Sequence, residues 1–213
     1  MVGKGLFIVA DGIDGCGKSS QALKLADWIF SNYKKIDTIV LTHEPTHSKF
    51  GLEIASRLSR SSKDESATSK ERLLELFVLD REQHVNDIIA PALEKKCVVI
   101  CERYKYSTIA YQSAQGVPIA HAIEENGGFP VPDIAFIFNA SVENCVSRLE
   151  KSGKMLDKFE KSSFLEKVKE QYLKLPALLS KEKIQIINAN QSIEMVHDDV
   201  IKAIRPFVEE MVK

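Results

Sequence analysis

The sequence has 213 residues, a formal net charge of -1, 44% hydrophobic residues and 28% charged residues. These values exclude an intrinsically disordered chain, and the near balance of 29 basic and 30 acidic residues gives no overall charge for binding nucleic acid or an anionic membrane. No apolar run approaches the ~20 residues that span a bilayer, and the N-terminus does not resemble a signal peptide. We therefore expect a cytoplasmic protein with one domain over residues 1–213.

Short apolar runs alternate with longer stretches of helical periodicity along the chain. Strands are predicted at residues 5–10, 38–42, 97–101, 134–138 and 184–187. Helices are predicted at residues 18–31, 69–94, 142–151, 163–179 and 193–212. The strands are continuously apolar, which is typical of strands buried on both faces. This alternation predicts an α/β fold in which a five-stranded parallel sheet carries helices on both faces, with ligands at the carboxyl ends of the strands.

A glycine-rich segment follows the first predicted strand. Residues 12–19 fit the pattern G-x-x-x-x-G-K-[ST], and the helix predicted from Lys18 supplies the context that this P-loop motif requires. The glycines allow backbone N–H groups to surround a phosphate, and the helix N-terminus adds the positive end of its dipole. Lys18 is predicted to reach the β- and γ-phosphates and Ser19 to bind Mg²⁺. The predicted nucleotide-binding residues are Gly12, Ile13, Asp14, Gly15, Cys16, Gly17, Lys18, Ser19 and Ser20.

Two charged residues follow the third predicted strand. Glu102 offers carboxylate oxygens that could hold Mg²⁺ or its waters, although a solvated loop acid is the alternative. Arg103 carries a permanent charge and a planar fork that suits phosphate.

The long predicted helix carries a candidate base-binding pair. Phe77 and Arg81 are four residues apart and therefore share one helical face. An aromatic ring for stacking, beside a fixed set of N–H donors, suits the binding of a nucleobase. The alternative interpretation is that Phe77 is a core residue and Arg81 a surface charge with no role in binding. His84 lies on the same helix, and the sequence gives it no role. Residues 188–191 do not fit the guanine-specific Asn-Lys-x-Asp signature, so a compact small-molecule kinase is favoured over a molecular switch.

Four segments together resemble the thymidylate kinases, the family that phosphorylates dTMP to dTDP. They are residues 11–21, Glu44-Pro45-Thr46, Phe77-x-x-Asp80-Arg81-x-x-His84, and residues 102–112. The similarity runs over nearly the whole chain, and its last two segments are the specific ones. The resemblance implies ATP as the phosphoryl donor, Mg²⁺, a place in dTTP biosynthesis and a homodimer.

The resemblance also implies residue roles. Phe77 would stack on thymine, Arg81 would donate to its carbonyl edge, and Tyr111 would pack where a 2′-hydroxyl would protrude. Arg103 would hold the acceptor phosphate, and Asp14 would contact the sugar 3′-hydroxyl or help to position the acceptor. The implied substrate-binding residues are Glu44, Phe77, Arg81, Arg103, Thr108, Tyr111 and Gln112; the implied catalytic residues are Lys18, Arg103 and Asp14. Residues 151–160 would form a lid over ATP.

The chain departs from the family pattern at the catalytic arginine, which the family places in the P-loop or in the lid. The P-loop here has Gly15 and Cys16 instead. Phosphoryl transfer needs cations next to the migrating group to stabilise its negative charge. We expect Lys18, Arg103 and one further cation to provide this stabilisation together. The candidates for that cation are Arg148, Lys151, Lys154 and Lys158. The family usually has Asp where this chain has Glu102, which is longer by one methylene.

Two other functions remain open from the sequence. A deoxynucleoside kinase would share Glu44-Pro45 and Glu102-Arg103, with Glu44 as the base for a neutral 5′-hydroxyl; residues 77–84 argue against it. A P-loop protein that binds nucleotide without turnover would be consistent with the missing arginine.

Overall fold

The computed structural model describes residues 5–59, 66–151 and 158–213, without the side chains of residues 67 and 158–161. Its strands are β1 (Leu6–Asp11), β2 (Ile39–His43), β3 (Val98–Glu102), β4 (Ile134–Asn139) and β5 (Ile184–Asn188). Its helices are α1 (Lys18–Asn32), α2 (Lys49–Ser59), α3 (Ala67–His84), α4 (Ala90–Glu94), α5 (Lys105–Ala114), α6 (Ile119–Glu125), α7 (Val142–Lys151), α8 (Lys158–Leu178) and α9 (Ile193–Met211).

The five strands form one parallel sheet in the order β2-β3-β1-β4-β5. Every residue of the central strand β1 is buried, as its continuous apolar sequence predicts. The order of the strands along the chain reverses around β1, and this is the position where open α/β sheets bind ligands. The predicted fold class is confirmed.

Each strand ends one residue later than its apolar run predicts. The additional residue is polar in every case: Asp11, His43, Glu102, Asn139 and Asn188. Hydrophobicity excludes these residues from a strand, but backbone pairing continues through them because a side chain at the sheet edge need not be apolar. A row of polar side chains therefore marks the carboxyl edge of the sheet.

The predicted helix over residues 69–94 is interrupted. α3 ends at His84, a π-helical turn spans Val85–Ile89, and α4 follows. Pro91 lies in the first turn of α4, where its missing N–H breaks the α-helical ladder. Helices α2, α5 and α6 were not predicted from periodicity.

Candidate active site

The P-loop connects β1 to α1. Gly12, Gly15 and Gly17 have φ values of 138, 81 and 103°, which glycine adopts without strain. A Cβ atom at Gly12 would lie 2.7 Å from the carbonyl oxygen of Phe138, and one at Gly15 would lie 2.4 Å from that of Cys145. The loop therefore packs closely on β4 and α7, and position 15 has no room for a side chain.

Lys18 points back into this loop. Its buried Nζ donates a hydrogen bond to the carbonyl oxygen of Ile13 at 2.9 Å and lies 3.9 Å from Sγ of Cys16. Burial raises the pKa of the Cys16 thiol, so this thiol is neutral at pH 7. Ser19 and Ser20 are exposed in the first turn of α1. A cation and the first N–H groups of a helix thus converge on the loop, which is the arrangement that binds phosphate.

A cleft of about 410 Å³ lies beside the P-loop. The sequence-predicted residues that line it are Asp14, Glu44, Phe77, Arg81, Arg103, Thr108, Tyr111 and Gln112. The remaining lining residues are mainly apolar and include Pro45, Leu58, Leu149, Phe164 and Leu165. Predominantly apolar walls with a few placed polar groups are typical of a small-molecule site. Folding therefore brings the predicted acceptor-site residues around one cavity.

Arg81, which is 1% exposed, is held at the cleft by three side chains. Nε and Nη2 donate to Oε2 of Glu44 at 3.0 and 2.7 Å, and Nη2 also donates to Oγ1 of Thr108 at 2.8 Å. Nη1 donates to Oδ1 of Asn126. The guanidinium has five N–H groups. Within the described part of the chain one of them, on Nη1, has no partner and is available to a ligand in the cleft.

Aromatic rings complete the surroundings of Arg81. Its guanidinium carbon lies 5.1 Å from the ring centre of Tyr104 and 5.5 Å from that of Phe129, within range of cation–π attraction. Phe77, four residues earlier on α3, is half-buried and lines the cleft. The alternative of a surface Arg81 and a wholly core Phe77 is therefore wrong.

Glu44 is buried at the start of the segment after β2. Its Oε1 lies 3.1 Å from Nδ1 of His84, whose Nε2 lies 2.7 Å from Oγ1 of Thr42. A buried carboxylate requires such partners. Because Arg81 and His84 already occupy both oxygens, Glu44 anchors Arg81 and is poorly suited to act as a base for a 5′-hydroxyl.

Glu44, His84 and Cys101 have candidate ligand atoms within 4.8 Å of one another. Burial raises the pKa of the Cys101 thiol well above its ordinary value, and its Sγ donates to the carbonyl oxygen of Arg103 at 3.0 Å. A metal needs the thiolate, so these residues are better described as a hydrogen-bonded cluster than as a metal centre.

Arg103 lies between the P-loop and the cleft. Its φ of 64° is unusual for a residue other than glycine and costs about 1 kcal/mol. The backbone holds this conformation through a hydrogen bond to the carbonyl oxygen of Ala10. Nη2 donates to Asp14 at 2.6 Å, Nη1 donates to Ser107 at 3.0 Å, and the guanidinium lies 5.3 Å from the ring centre of Tyr111. A fixed positive charge thus faces both the loop and the cleft.

Asp11, the last residue of β1, is fully buried and joins three elements. Its Oδ2 accepts hydrogen bonds from the backbone N–H groups of Tyr104 and Ser107, both at 3.1 Å. Its Oδ1 accepts from the hydroxyls of Ser107 and Tyr172 at 2.5 and 2.7 Å. Asp11 therefore caps α5, whose own N-cap residue makes no side-chain bond, and ties it to the P-loop and to α8.

A second pocket of about 350 Å³ lies on the other side of the P-loop, lined by Cys16, Gly17, Ser20, Gln21, Arg148, Ala189, Gln191, Ser192, Ile193 and Val196. Arg148 is fixed here, because Nη2 donates to the carbonyl oxygen of Ala189 at 3.0 Å and Nη1 to that of Cys16 at 3.5 Å. Residues 189–193 of this pocket were not predicted from the sequence, because the segment after β5 matches no nucleotide-binding signature.

Ser19 and Glu102, the predicted metal ligands, both offer side-chain oxygens. Ser19 is exposed and Glu102 is half-buried, and neither side chain makes a hydrogen bond or ion pair with a described residue. Oxygen ligands suit Mg²⁺, so both residues fit that ion. Among the candidate lid cations Lys151 is exposed at the end of α7, whereas Lys154 and the side chain of Lys158 lie outside the described residues.

The fold, the phosphate-binding loop and the adjoining cleft define a P-loop nucleotide kinase. The family model of thymidylate kinase matches residues 10–200. A probable thymidylate kinase from Pyrococcus abyssi is 38% identical over 204 residues, which are 95% of this chain and 97% of the relative. A probable thymidylate kinase from Thermococcus kodakarensis is 40% identical over 210 residues, 96% of this chain and 100% of the relative. A thymidylate kinase from Desulfotalea psychrophila is 35% identical over 206 residues, 96% of each chain. The chain belongs to the thymidylate kinase family of nucleoside monophosphate kinases, which confirms the resemblance.

Proposed function

We propose that this protein phosphorylates dTMP to dTDP with Mg-ATP as the donor, in dTTP biosynthesis. Membership of the thymidylate kinase family supports the reaction, since the relatives reported above carry that name. The observation that carries the proposal is the cleft itself. Phe77 and the available N–H of Arg81 line one part of it, and Arg103 joins it to the P-loop.

The polar groups of the cleft match thymine. Thymine presents a carbonyl oxygen beside an N3–H donor, so Arg81 donates to the oxygen while Phe77 stacks on the ring. Oε1 of Gln112 is buried without a hydrogen-bond partner among the described residues and accepts from N3–H. Cytosine would turn an amino group towards Arg81 and leave both buried groups unpaired, which disfavours it by about 10²-fold or more.

The residues near the sugar favour a deoxynucleotide. Burial raises the pKa of Tyr111 to about 12, so its ring carries a neutral phenol at pH 7. The ring packs against the deoxyribose where a 2′-hydroxyl would protrude. Asp14 contacts the 3′-hydroxyl or helps to position the acceptor while bound to Arg103. Thr108, which accepts from Arg81, supports the base-binding group.

The donor nucleotide occupies the P-loop and the pocket at Arg148. The backbone of residues 12–20 and the ammonium of Lys18 hold its phosphates. Ser19 and Glu102 would hold Mg²⁺, which would supply positive charge to the phosphates when bound.

The reaction is an in-line attack of a dTMP phosphate oxygen on the γ-phosphorus of ATP, in which the new O–P bond of dTDP forms while the bond to the β–γ bridging oxygen breaks and ADP leaves. The nucleophile is already an anion, so no general base is needed, and catalysis consists of positioning and charge neutralisation. Gly15 has no room for an arginine. Lys18 and Arg103 therefore stabilise the transferring group together with one further cation from Arg148 or residues 151–158. Residues 151–160, of which 152–157 lie outside the described part of the chain, are expected to form the lid whose closure over ATP excludes water.

The test is an ATP-consumption assay with dTMP, dUMP, dCMP, dGMP and thymidine in parallel, with dTDP identified by mass. We expect dTMP to be the best acceptor and thymidine to be inert. Turnover of thymidine without dTMP would replace the proposal with a deoxynucleoside kinase. ATP binding without any dTDP would replace it with a binding protein.

The protein acts in the cytoplasm as a homodimer and binds neither nucleic acid nor membranes. No helix within residues 5–59, 66–151 and 158–213 is long and apolar enough to cross a bilayer. Leu52 on α2 and Ile88 in the π-helical turn are exposed, and self-association could cover such side chains. Light scattering coupled to size-exclusion chromatography tests this, and a monomer at micromolar concentration would contradict it.

A further inference from the structure

His84 belongs to a hydrogen-bonded chain of four side chains that ends at Arg81, a residue lining the cleft. Thr42 and Glu44 are two residues apart along β2 and its extension, and Arg81 and His84 are three apart on α3. Each pair shares a face of its element. Hydrogen bonds join Thr42 to His84 and His84 to Glu44, and Arg81 donates to Glu44. All but Thr42 are buried.

Each ring nitrogen of His84 has one partner. The N–H groups of Arg81 that reach Glu44 occupy Oε2, so Oε1 is left to accept from Nδ1 of His84. Nε2 of the same ring lies 2.7 Å from the hydroxyl of Thr42, which can act as donor or acceptor. Thr42 thus holds the second ring nitrogen and fixes the orientation of the imidazole, as a second hydrogen bond generally does.

The bond from His84 determines where Arg81 can point. With Oε1 held, the carboxylate cannot rotate, and Oε2 stays in line with both Nε and Nη2 of Arg81. Four of the five N–H groups of Arg81 are then fixed by protein, and the remaining one keeps a single direction. We propose that His84, oriented by Thr42, is a positioning residue for acceptor-base recognition, acting through Glu44 on Arg81. The inference rests on the proposed function in assigning Arg81 to the acceptor base.

Two amide substitutions separate this role from simple packing. The amide nitrogen of asparagine branches from Cγ as Nδ1 does, whereas that of glutamine lies one atom further, as Nε2 does. His84→Asn should keep the KM for dTMP within about threefold of the parent, because the donor to Glu44 remains. His84→Gln and His84→Ala should raise it about tenfold or more, the cost of a lost bond to a charged group. The KM for ATP should not change in any of the three.

The matched control is His121→Asn. His121 makes a 2.7 Å bond to Glu71 of the same kind, but at the surface between α6 and α3 and outside the cleft. The His121→Asn variant should leave the KM for dTMP and the KM for ATP unchanged. Equal effects of His84→Asn and His84→Gln, or a parallel rise of the KM for dTMP and for ATP, would overturn the proposal.

A readout without substrate keeps this inference distinct from the proposed function. The ¹⁵N-resolved Nε–H signal of Arg81 should exchange slowly in the parent and in His84→Asn, and should broaden or vanish in His84→Gln and His84→Ala. If the parent does not phosphorylate dTMP but the Arg81 signal differs among the variants as expected, the proposed function fails while the positioning role stands. If dTMP is phosphorylated and the signal is identical in all variants, the positioning role is wrong.

Discussion

The site has a proposed donor half for ATP and a proposed acceptor half for dTMP. One half is formed mainly by main-chain groups and the other by side chains. The proposed donor half uses the backbone of one contiguous segment, residues 12–20, in which Gly12 and Gly15 pack on β4 and α7. The proposed acceptor half uses side chains from α3, from α5 and from the residues that directly follow β2 and α6, such as Arg81, Glu44 and Asn126. The first half needs close approach of the main chain, whereas the second needs fixed hydrogen bonds between distant residues. Substitutions should therefore affect the two halves by different mechanisms.

The largest expected effect lies in the donor half, at Lys18. Lys18→Ala removes the cation that we propose binds the phosphates and should lower kcat by about 10²- to 10³-fold. Its side chain contacts the loop rather than the main core, so Tm should change by only a few degrees. Steady-state kinetics and thermal denaturation measure both values. The control is Lys24→Ala, on a half-buried part of α1, and a kcat for Lys18→Ala within tenfold of the parent would contradict the donor-site assignment.

In the acceptor half, Arg81→Ala should lower both stability and base recognition. It leaves Glu44 buried without its ion-pair partner, which costs about 3–5 kcal/mol of unfolding free energy. The KM for dTMP should rise much more than the KM for ATP. Urea denaturation and steady-state kinetics separate these effects.

A double variant sharpens this prediction. Glu44→Gln combined with Arg81→Met removes both charges and should recover much of the stability without recovering dTMP binding. If Arg81→Ala raises both KM values equally, Arg81 does not serve the base site.

A smaller effect is expected from Gly15→Ala in the P-loop. Its Cβ would clash with the carbonyl oxygen of Cys145 at a φ of 81°, so we expect a loss of about 1–3 kcal/mol in unfolding free energy together with reduced kcat. Gly116→Ala is the control, because it has a φ of 100° but only the end of Lys70 nearby at 3.8 Å. Equal losses in the two variants would mean that backbone strain alone, without the clash, limits position 15.

The smallest effect should be a loss of unfolding free energy at alkaline pH. It should affect both halves alike, because the buried thiols lie in the core that both halves share. Burial raises the pKa of Cys16, Cys101 and Cys145 above the ordinary 9.0, to about 12 for Cys145. The unfolded chain therefore loses these protons first, and unfolding becomes easier as pH rises above 9. Each thiol should lower the unfolding free energy by about 1.4 kcal/mol per pH unit there.

Urea denaturation between pH 7.5 and 10.5 measures this dependence. Cys101→Ala should reduce the slope above pH 9 by one proton, and an unchanged slope would show that this thiol does not contribute.

Much of the donor half could be predicted from the sequence, because its residues are adjacent and its glycines are required by close packing. The strands were also predicted, apart from their final polar residues and a start one residue too early for β1, β2 and β3. Arg81 and Phe77 could be predicted as a candidate base-binding pair, because helical spacing places them on one face of α3. Their roles in binding stay predictions until the variants are measured.

The partners of Arg81 could not be predicted in the same way. Asn126 is 45 residues from Arg81 and directly follows α6, a helix that periodicity did not detect. The sequence pattern also gave no reason to expect His84 to be buried. Helix α5 was missed because the residue that caps it, Asp11, is 93 positions from Tyr104. Patterns of hydrophobicity and spacing along the chain do not reveal hydrogen bonds between residues that come together only when the sheet forms.

The five hydrogen bonds of Asp11 have a consequence for the geometry of the whole reaction. The P-loop, which we propose binds the donor, and α5, which we propose lines the acceptor site, are both hydrogen-bonded to the two carboxylate oxygens of Asp11. The distance between the two proposed sites therefore depends on one buried side chain that touches neither nucleotide. A one-residue insertion between β3 and α5 would change that distance even if every residue that touches a nucleotide were retained.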